Sequence, residues 1–511
     1  MYYSTMPFPF NDLCEFISAL ESAGELSRVS DSISPHLEIT ELTDRMSKAP
    51  ATHIPVNAPP FLSTGGKALL FEKPTGYAMP VAINLFGSLA RVSMALGVSH
   101  PNDIAARITD MLDLKPPQGL MEKVALLPKL MEAANFPPRT VKSGPCQEVV
   151  EQGEDVDLGK FPVLTCWPKD GGPYITFPLV ITREPGTGRP NMGIYRMQVF
   201  SRNEAGMHWH IHKDGARHYD SAAAKPERLP VAVAIGADPA TCYAASAPLP
   251  GGIDEMLFSG FLRGKPVDLV KCKTNDLLVP ASAEIVLEGY VDPAEPLRAE
   301  GPFGDHTGYY SPVDDYPVFH VECVTRRRDP IYHATIVGRP PQEDYFLGYA
   351  TTRIFLPLMR LMLPELADIC CPPEGVFHNC VIASIRKRYP AQARRVMAGL
   401  WGMGQMSFAR TIIVVDADVP VEDMSAVAFE AFANTDPRRD MMFFDGPTDA
   451  LDHSAPQPFF GSKVGIDATR KIAGEVSPAF GGQGRPWPEE ITMSDEVKKK
   501  MDEVWNKLRG V

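Results

Sequence analysis

Near the start of the chain Leu13, Phe16, Ile17 and Leu20 recur at helical spacing behind Asn11 and Asp12, and the pattern stops at Gly24. It predicts an amphipathic helix over 10–24 with the two polar residues as caps. The same period predicts helices over 36–46, 102–112 and 120–134, with short apolar runs such as 68–71 between them. Residues 1–135 therefore read as an N-terminal α/β domain. From Cys146 the pattern shortens to β-rich runs punctuated by Gly and Pro, at 176–182, 192–200, 231–235, 283–290, 318–325 and 331–336, with one helix at 253–262. A mainly antiparallel sheet or barrel over 136–340 follows. Beyond 341 helical pattern at 353–362 and 391–403 surrounds strands at 379–385 and 411–415, which predicts a C-terminal α/β domain to 490. Residues 454–488 are rich in Gly and Pro, and 491–511 form a last helix with Val497, Met501, Val504 and Leu508 as its apolar stripe. The fold class is α+β.

Length and charge narrow the function. At 511 residues the chain is longer than one hydrophobic core usually grows, so about three domains or one elaborated enzyme are expected. Lys plus Arg number 50 against 63 Asp plus Glu, a net charge of −13, which argues against nucleic acid or an anionic membrane as the main partner. Nine Cys, an odd number without a CxxC, fit reduced thiols in a cytoplasmic protein. The first residues lack a basic and then apolar leader, and the most apolar stretch, 356–371, is broken by Arg360, Pro364, Glu365 and Asp368.

Four of the twelve His fall within MHWHIHKDGARH: His208, His210, His212 and His218. On an extended strand His208, His210 and His212 would share one face, as metal ligands or as a solvated surface; the residues alone leave both open. Asn191 and Glu255 are candidate oxygen ligands from the same β-rich region. With an imidazole they would suit Mn²⁺ or Mg²⁺ better than a structural Zn²⁺, although each also fits a capping role. The turn AEGPFGDHTGYYSP carries Glu300, Asp305 and His306 between Gly301, Gly304 and the pair Tyr309 and Tyr310. Arg196 is a candidate carboxylate clamp or a plain ion-pair residue. Lys463 is a candidate phosphate contact if Gly461 and Ser462 expose their N–H groups beside it. GxGxxG opening a helix, GxxxxGK[ST], HExxH and GxSxG are all absent. A cupin-like metal strand fits poorly, because Lys, Asp, Gly and Ala follow His212.

The blocks NMGIYRMQVF, MHWHIHKDGA, PLPGGIDE, VKCKTNDLLVPASAEIVLEGY, EGPFGDHTGYY and GRPPQED, in this order, resemble the UbiD family of reversible decarboxylases that use prenylated FMN. The resemblance runs from about residue 10 to the C-terminal helix. It implies a central split β-barrel flavin domain and a C-terminal α/β domain for oligomer contacts, in dimers or hexamers. It also implies that Asn191, His212 and Glu255 hold Mn²⁺, with K⁺ as a second candidate ion, against the cofactor phosphate. Ile194, Tyr195, Arg196, His208, Trp209, His210, Lys213 and Asp214 would line the flavin, with Lys463 near its phosphate. The Asp305 of GPFGD resembles the 3-polyprenyl-4-hydroxybenzoate branch of ubiquinone synthesis, whose bacterial members resemble MRWLSHRGGA where this chain has MHWHIHKDGA.

Decarboxylation of an aryl acid leaves an sp² electron pair without a carbonyl to accept it, so an organic electron sink is required and no side chain supplies one. The implied partners are a small aromatic carboxylic acid and a flavin prenyltransferase as cofactor supplier, with at most peripheral membrane contact if the acid is polyprenylated. The expected roles are a carboxylate grip by Arg196 paired with Glu300, and proton delivery by Asp305, whose pKa must then be raised by burial or by the neighbouring acid. The runner-up is a hydroxyaryl, naphthoate or heteroaromatic acid outside quinone synthesis. A noncatalytic flavin or metal binder is the alternative of another class, but it has no reason to keep Arg196, Glu300 and Asp305 together.

Overall fold

The computed structural model describes residues 8–54, 58–112, 135–225, 227–249, 253–376, 379–472, 475, 487–489 and 491–509. The helix expected over 120–134 lies outside them. The first helix is Leu13–Ser22: Asp12 accepts the Glu15 N–H, Leu13, Phe16, Ile17 and Leu20 are buried, and the chain turns at Gly24 with φ 73°. Strands Leu26–Ile33, Ala68–Pro74 and Val81–Ile83 form a sheet whose fourth strand, Tyr332–His333, arrives from the far end of the β-rich region. The N-terminal sheet is thus completed by distant chain, and one hydrophobic core runs from Phe10 to Ala468.

The β-rich region is a nine-stranded sheet. Its order is Tyr174–Ile175, Met197–Val199, Glu204–Met207, Val318–Arg326, Ile285–Val291, Leu229–Ile235, Leu179–Arg183 and Pro190–Ile194, with Val149–Gln152 added beside Val318–Arg326. Every pairing in it is antiparallel. The run expected as one strand over 192–200 is broken at Tyr195 and Arg196. Its first half pairs with Leu179–Arg183 at one end of the order and its second half with Tyr174–Ile175 and Glu204–Met207 at the other. Two residues of chain reach at most about 10 Å, so the ends of the sheet lie together and the sheet curls like a barrel, with Arg196 at the seam. The strand expected over 176–182 starts three residues later, as Leu179–Arg183.

The C-terminal sheet has the order Leu366–Cys370, Cys380–Ile385, Thr411–Asp416, Phe460–Asp467 and Met441–Pro447. Phe460–Asp467 falls inside the Gly- and Pro-rich stretch 454–488. Its glycines are packing sites: a Cβ at Gly465 would meet Met397 Sδ at 2.5 Å, on the helix Gln392–Trp401. The helix expected over 353–362 starts ten residues earlier, as Glu343–Met362, and carries Pro357 in its interior. The last helix, Asp495–Arg509, presents Val497, Met501, Val504 and Leu508 to solvent. Among the described residues no helix is long and apolar enough to cross a membrane.

Candidate active site

Arg196, at the seam, is the centre of a buried charged cluster. Its Nε donates to Glu300 at 3.2 Å, its Nη2 to Ser311 at 3.0 Å and its Nη1 to Asp305, while the guanidinium lies 4.4 Å over the Phe303 ring. Glu300 is 0% and Asp305 5% exposed. The EGPFGD turn that carries both acids is pinned on either side. Gly301 N–H donates to Gln198 Oε1 and Gly304 N–H to Asp170 Oδ1, each at 2.8 Å. Strands Arg298–Glu300 and Phe303–Gly304 pair with Asp314–Tyr316 and Tyr310–Ser311. Gly304 is required by space, since a Cβ there would stand 2.1 Å from Trp167 Cδ1.

His208 extends the cluster. Its Nδ1 lies 2.9 Å from Glu300 Oε2 and its Nε2 2.7 Å from His210 Nε2. Glu300 carries the negative charge, so Nδ1–H donates to it and Nε2 accepts from His210. Burial pushes His208 down, with the Arg196 charge adding to it, and burial with His208 beside it pushes His210 down to about 3; both rings are neutral. The three histidines do not share a strand face. The strand ends at Met207 and 208–213 form an irregular turn, so His208 is buried, His210 half-buried and His212 exposed. The extended-strand expectation fails because the ladder partner, Val318–Arg326, begins opposite Gly206.

The acids differ from expectation in protonation. Burial alone would raise both, but the His208 hydrogen bond and the Arg196 charge hold Glu300 at about 2. Asp305, for which a raised pKa was expected, is instead held well below the carboxylate range against its burial by Arg196 and His306. The guanidinium between the two carboxylates is the physical reason, and Asp305 is ionised in this arrangement.

Of the expected metal donors, Asn191 and Glu255 come together. Both are buried, and the Met192 N–H donates to Glu255 Oε2 at 3.0 Å. Burial, with Asp254 and Asp214 near, pushes Glu255 up to about 7. The His212 ring lies 4.6 Å from Phe408, with Lys213 and Asp449 acting on it. Among the described residues no group of three or more His, Cys, Asp or Glu is arranged to hold a metal ion. The donor chemistry of Asn191, Glu255 and an imidazole fits a hard cation.

Tyr195 packs edge-on to Trp209, whose indole N–H is buried without a partner. Ile194 ends its strand, and Lys213 and Asp214 open the helix Asp214–Ala223. Lys463 is buried in strand Phe460–Asp467, its Nζ donating to the Ser407 carbonyl beside Phe408, and burial pushes it down to about 8. Gly461 and Ser462 are not an open loop; they pair in register with Gly446 and Asp445. Sequence reasoning missed Phe303, Ser311, Asp344, Phe408 and Asp449. Only Phe303, Ser311 and Asp344 carried a signal, lying within the EGPFGDHTGYYSP and GRPPQED blocks.

Comparison with known proteins accords with this geometry. The N-terminal, Rift-related and C-terminal domain models of 3-octaprenyl-4-hydroxybenzoate carboxy-lyase match residues 17–111, 139–340 and 345–468. An uncharacterized protein of Archaeoglobus fulgidus is 49% identical over 504 residues, 98% of this chain and 99% of that relative. Vanillic acid decarboxylase of Sedimentibacter hydroxybenzoicus, in its closed form, superposes with a TM-score of 0.81 at 27% identity, covering 97% of this chain and 99% of its own. An evolved dimeric form of the UbiD-class enzyme HmfF from Pelotomaculum thermopropionicum, in complex with prFMN, gives 0.76 at 27% identity, covering 97% and 100%. The chain belongs to the UbiD family and is a carboxy-lyase.

Proposed function

We propose that the chain catalyses reversible, non-oxidative decarboxylation of a hydroxybenzoate-type acid such as 3-polyprenyl-4-hydroxybenzoate, with prenylated FMN in a split-barrel domain. The observation that carries this is Arg196 suspended between Glu300 and Asp305 at the seam of the curled sheet. When bound, the flavin supplies the electron sink that the departing CO₂ requires. Ile194, Tyr195, Arg196, His208, Trp209, His210, Lys213 and Asp214 would line it and Lys463 would face its phosphate. Asn191 and Glu255, joined by His212, would hold a divalent ion.

The protein's own groups do the rest. A substrate carboxylate accepts from the Arg196 Nη donors alongside Asp305 and Ser311. Glu300, itself held by His208, accepts from Nε, so Arg196 cannot follow the substrate out. Phe303 beneath it shields the charges from water and strengthens each interaction. In this reading Asp305 passes a proton to the carbon that lost CO₂. Contacts between copies through the C-terminal domain belong to the same proposal.

A second reading is favoured by the His208–His210 pair beside Glu300, a polar wall better matched to a small hydroxylated ring than to a polyprenylated one. The experiment is Asp305→Asn in protein co-expressed with a flavin prenyltransferase. Turnover of aryl acids should be abolished with the flavin still bound; full activity would overturn the reading.

A further inference from the structure

The carbon left by CO₂ needs a proton, and both acids on Arg196 have given theirs up. The group placed to supply one is His306. Its ring Nδ1 lies 2.9 Å from Asp305 Oδ1, and its backbone N–H donates to the same oxygen at 2.8 Å. Asp305 therefore has two distinct sides: Oδ2 meets Arg196 and Oδ1 meets His306. Further acids act on His306 from other elements. Asp344 is in the first turn of the helix Glu343–Met362 and Asp449 follows the strand Met441–Pro447. Burial works against a charge on this ring, but Asp305, Asp344 and Asp449 outweigh it and raise its pKa. Asp344 is itself pushed up by burial to about 7, with the His306 charge acting to lower it.

We propose that His306 is the proton reservoir for Asp305: it supplies, through the Asp305 carboxyl, the proton that replaces CO₂, and Asp344 holds its charge. This rests on the decarboxylase reading above. The electron pair left by C–C cleavage forms one C–H bond, and one N–H bond breaks at Nδ1. Asp305 begins and ends as a carboxylate, the ring passes from imidazolium to neutral imidazole, and water returns its proton. His306 acts through Asp305 and is a positioning residue. Its side chain does two things that can be separated: it orients the carboxylate by a hydrogen bond and it carries a proton. Glutamine can do the first but not the second.

The experiment uses the flavin-loaded enzyme and reads kcat against pH together with deuterium incorporation from D₂O into the product. Wild-type kcat should fall as pH rises through a midpoint above the ordinary imidazole value of 6.5, because the protonated ring is the active form. His306→Gln should lose about 10²-fold or more in kcat, the usual scale of general acid catalysis, and lose that limb of the profile with KM and flavin absorbance unchanged. Asp344→Asn, which removes a charge and leaves Asp305 untouched, should move the midpoint down. A His306→Gln enzyme with wild-type kcat and an unchanged profile would overturn the proposal, as would an unshifted midpoint in Asp344→Asn. A wild-type enzyme that binds flavin but converts no aryl acid would overturn the decarboxylase reading instead.

Discussion

Replacing Arg196 by Lys tests the charge cluster while keeping its sign. The guanidinium reaches Glu300, Asp305 and Ser311 together and lies flat over Phe303. One ammonium cannot occupy all of those positions, because its donors diverge from a point and it has no plane to stack. Retaining Asp305, Lys would give up the ion-paired bond to Glu300, about 2 kcal/mol, and the bond to the uncharged Ser311 hydroxyl, about 1 kcal/mol. Some 3 kcal/mol of lost organisation corresponds to roughly 100-fold in kcat/KM. Fully buried Glu300 would lose its paired cation, so the melting temperature should fall as well. The assay is kcat/KM for the best aryl acid, with flavin content matched to the wild type by absorbance. An R196K enzyme within threefold of wild type would refute the claim that the planar, multiply bonded guanidinium organises the site.

Other expectations follow from individual contacts. Gly304→Ala would force a Cβ to 2.1 Å from Trp167 Cδ1, displacing the turn that carries Asp305; a loss of about 1–3 kcal/mol in urea unfolding is expected, with impaired turnover. Lys463→Met should weaken FMN binding about tenfold or more while leaving riboflavin binding unchanged in a flavin titration, because only FMN carries the phosphate. Glu284 is buried and its pKa is raised to about 7 by burial despite Arg327. The stability of its neutral form is complete below about pH 4.5 and is lost as pH rises through 7. Glu284→Gln should therefore gain on wild type between pH 5 and 8, by up to about 3 kcal/mol in chemical unfolding. A constant difference across that range would contradict the shift.

Local periodicity revealed elements whose faces are strictly divided. Leu13–Ser22 and Val318–Arg326 could be read because their buried positions recur at the spacing of one helix or one strand. The break at Tyr195 and Arg196 was not legible, since apolar residues continue across it and only the long-range partners of Pro190–Ile194 and Met197–Val199 reveal two strands. Phe460–Asp467 was hidden because its glycines mark close packing, which resembles loop composition in the sequence. Composition and spacing suggested the residue types at the site, and their assembly came from family motifs. His306 could be seen in the motif, but its orientation onto the far oxygen of Asp305 depends on backbone geometry. Asp449 comes from a domain more than a hundred residues away and had no sequence signal at all.

The most direct test is decarboxylation in D₂O by protein purified after co-expression with a flavin prenyltransferase and offered a panel of hydroxybenzoic and related aryl acids. Mass and NMR analysis should show CO₂ release from at least one acid and a single deuteron at the vacated ring carbon, in protein carrying a flavin absorbance. Flavin-loaded protein that releases no CO₂ from any aryl acid and exchanges no ring hydrogen would contradict the account.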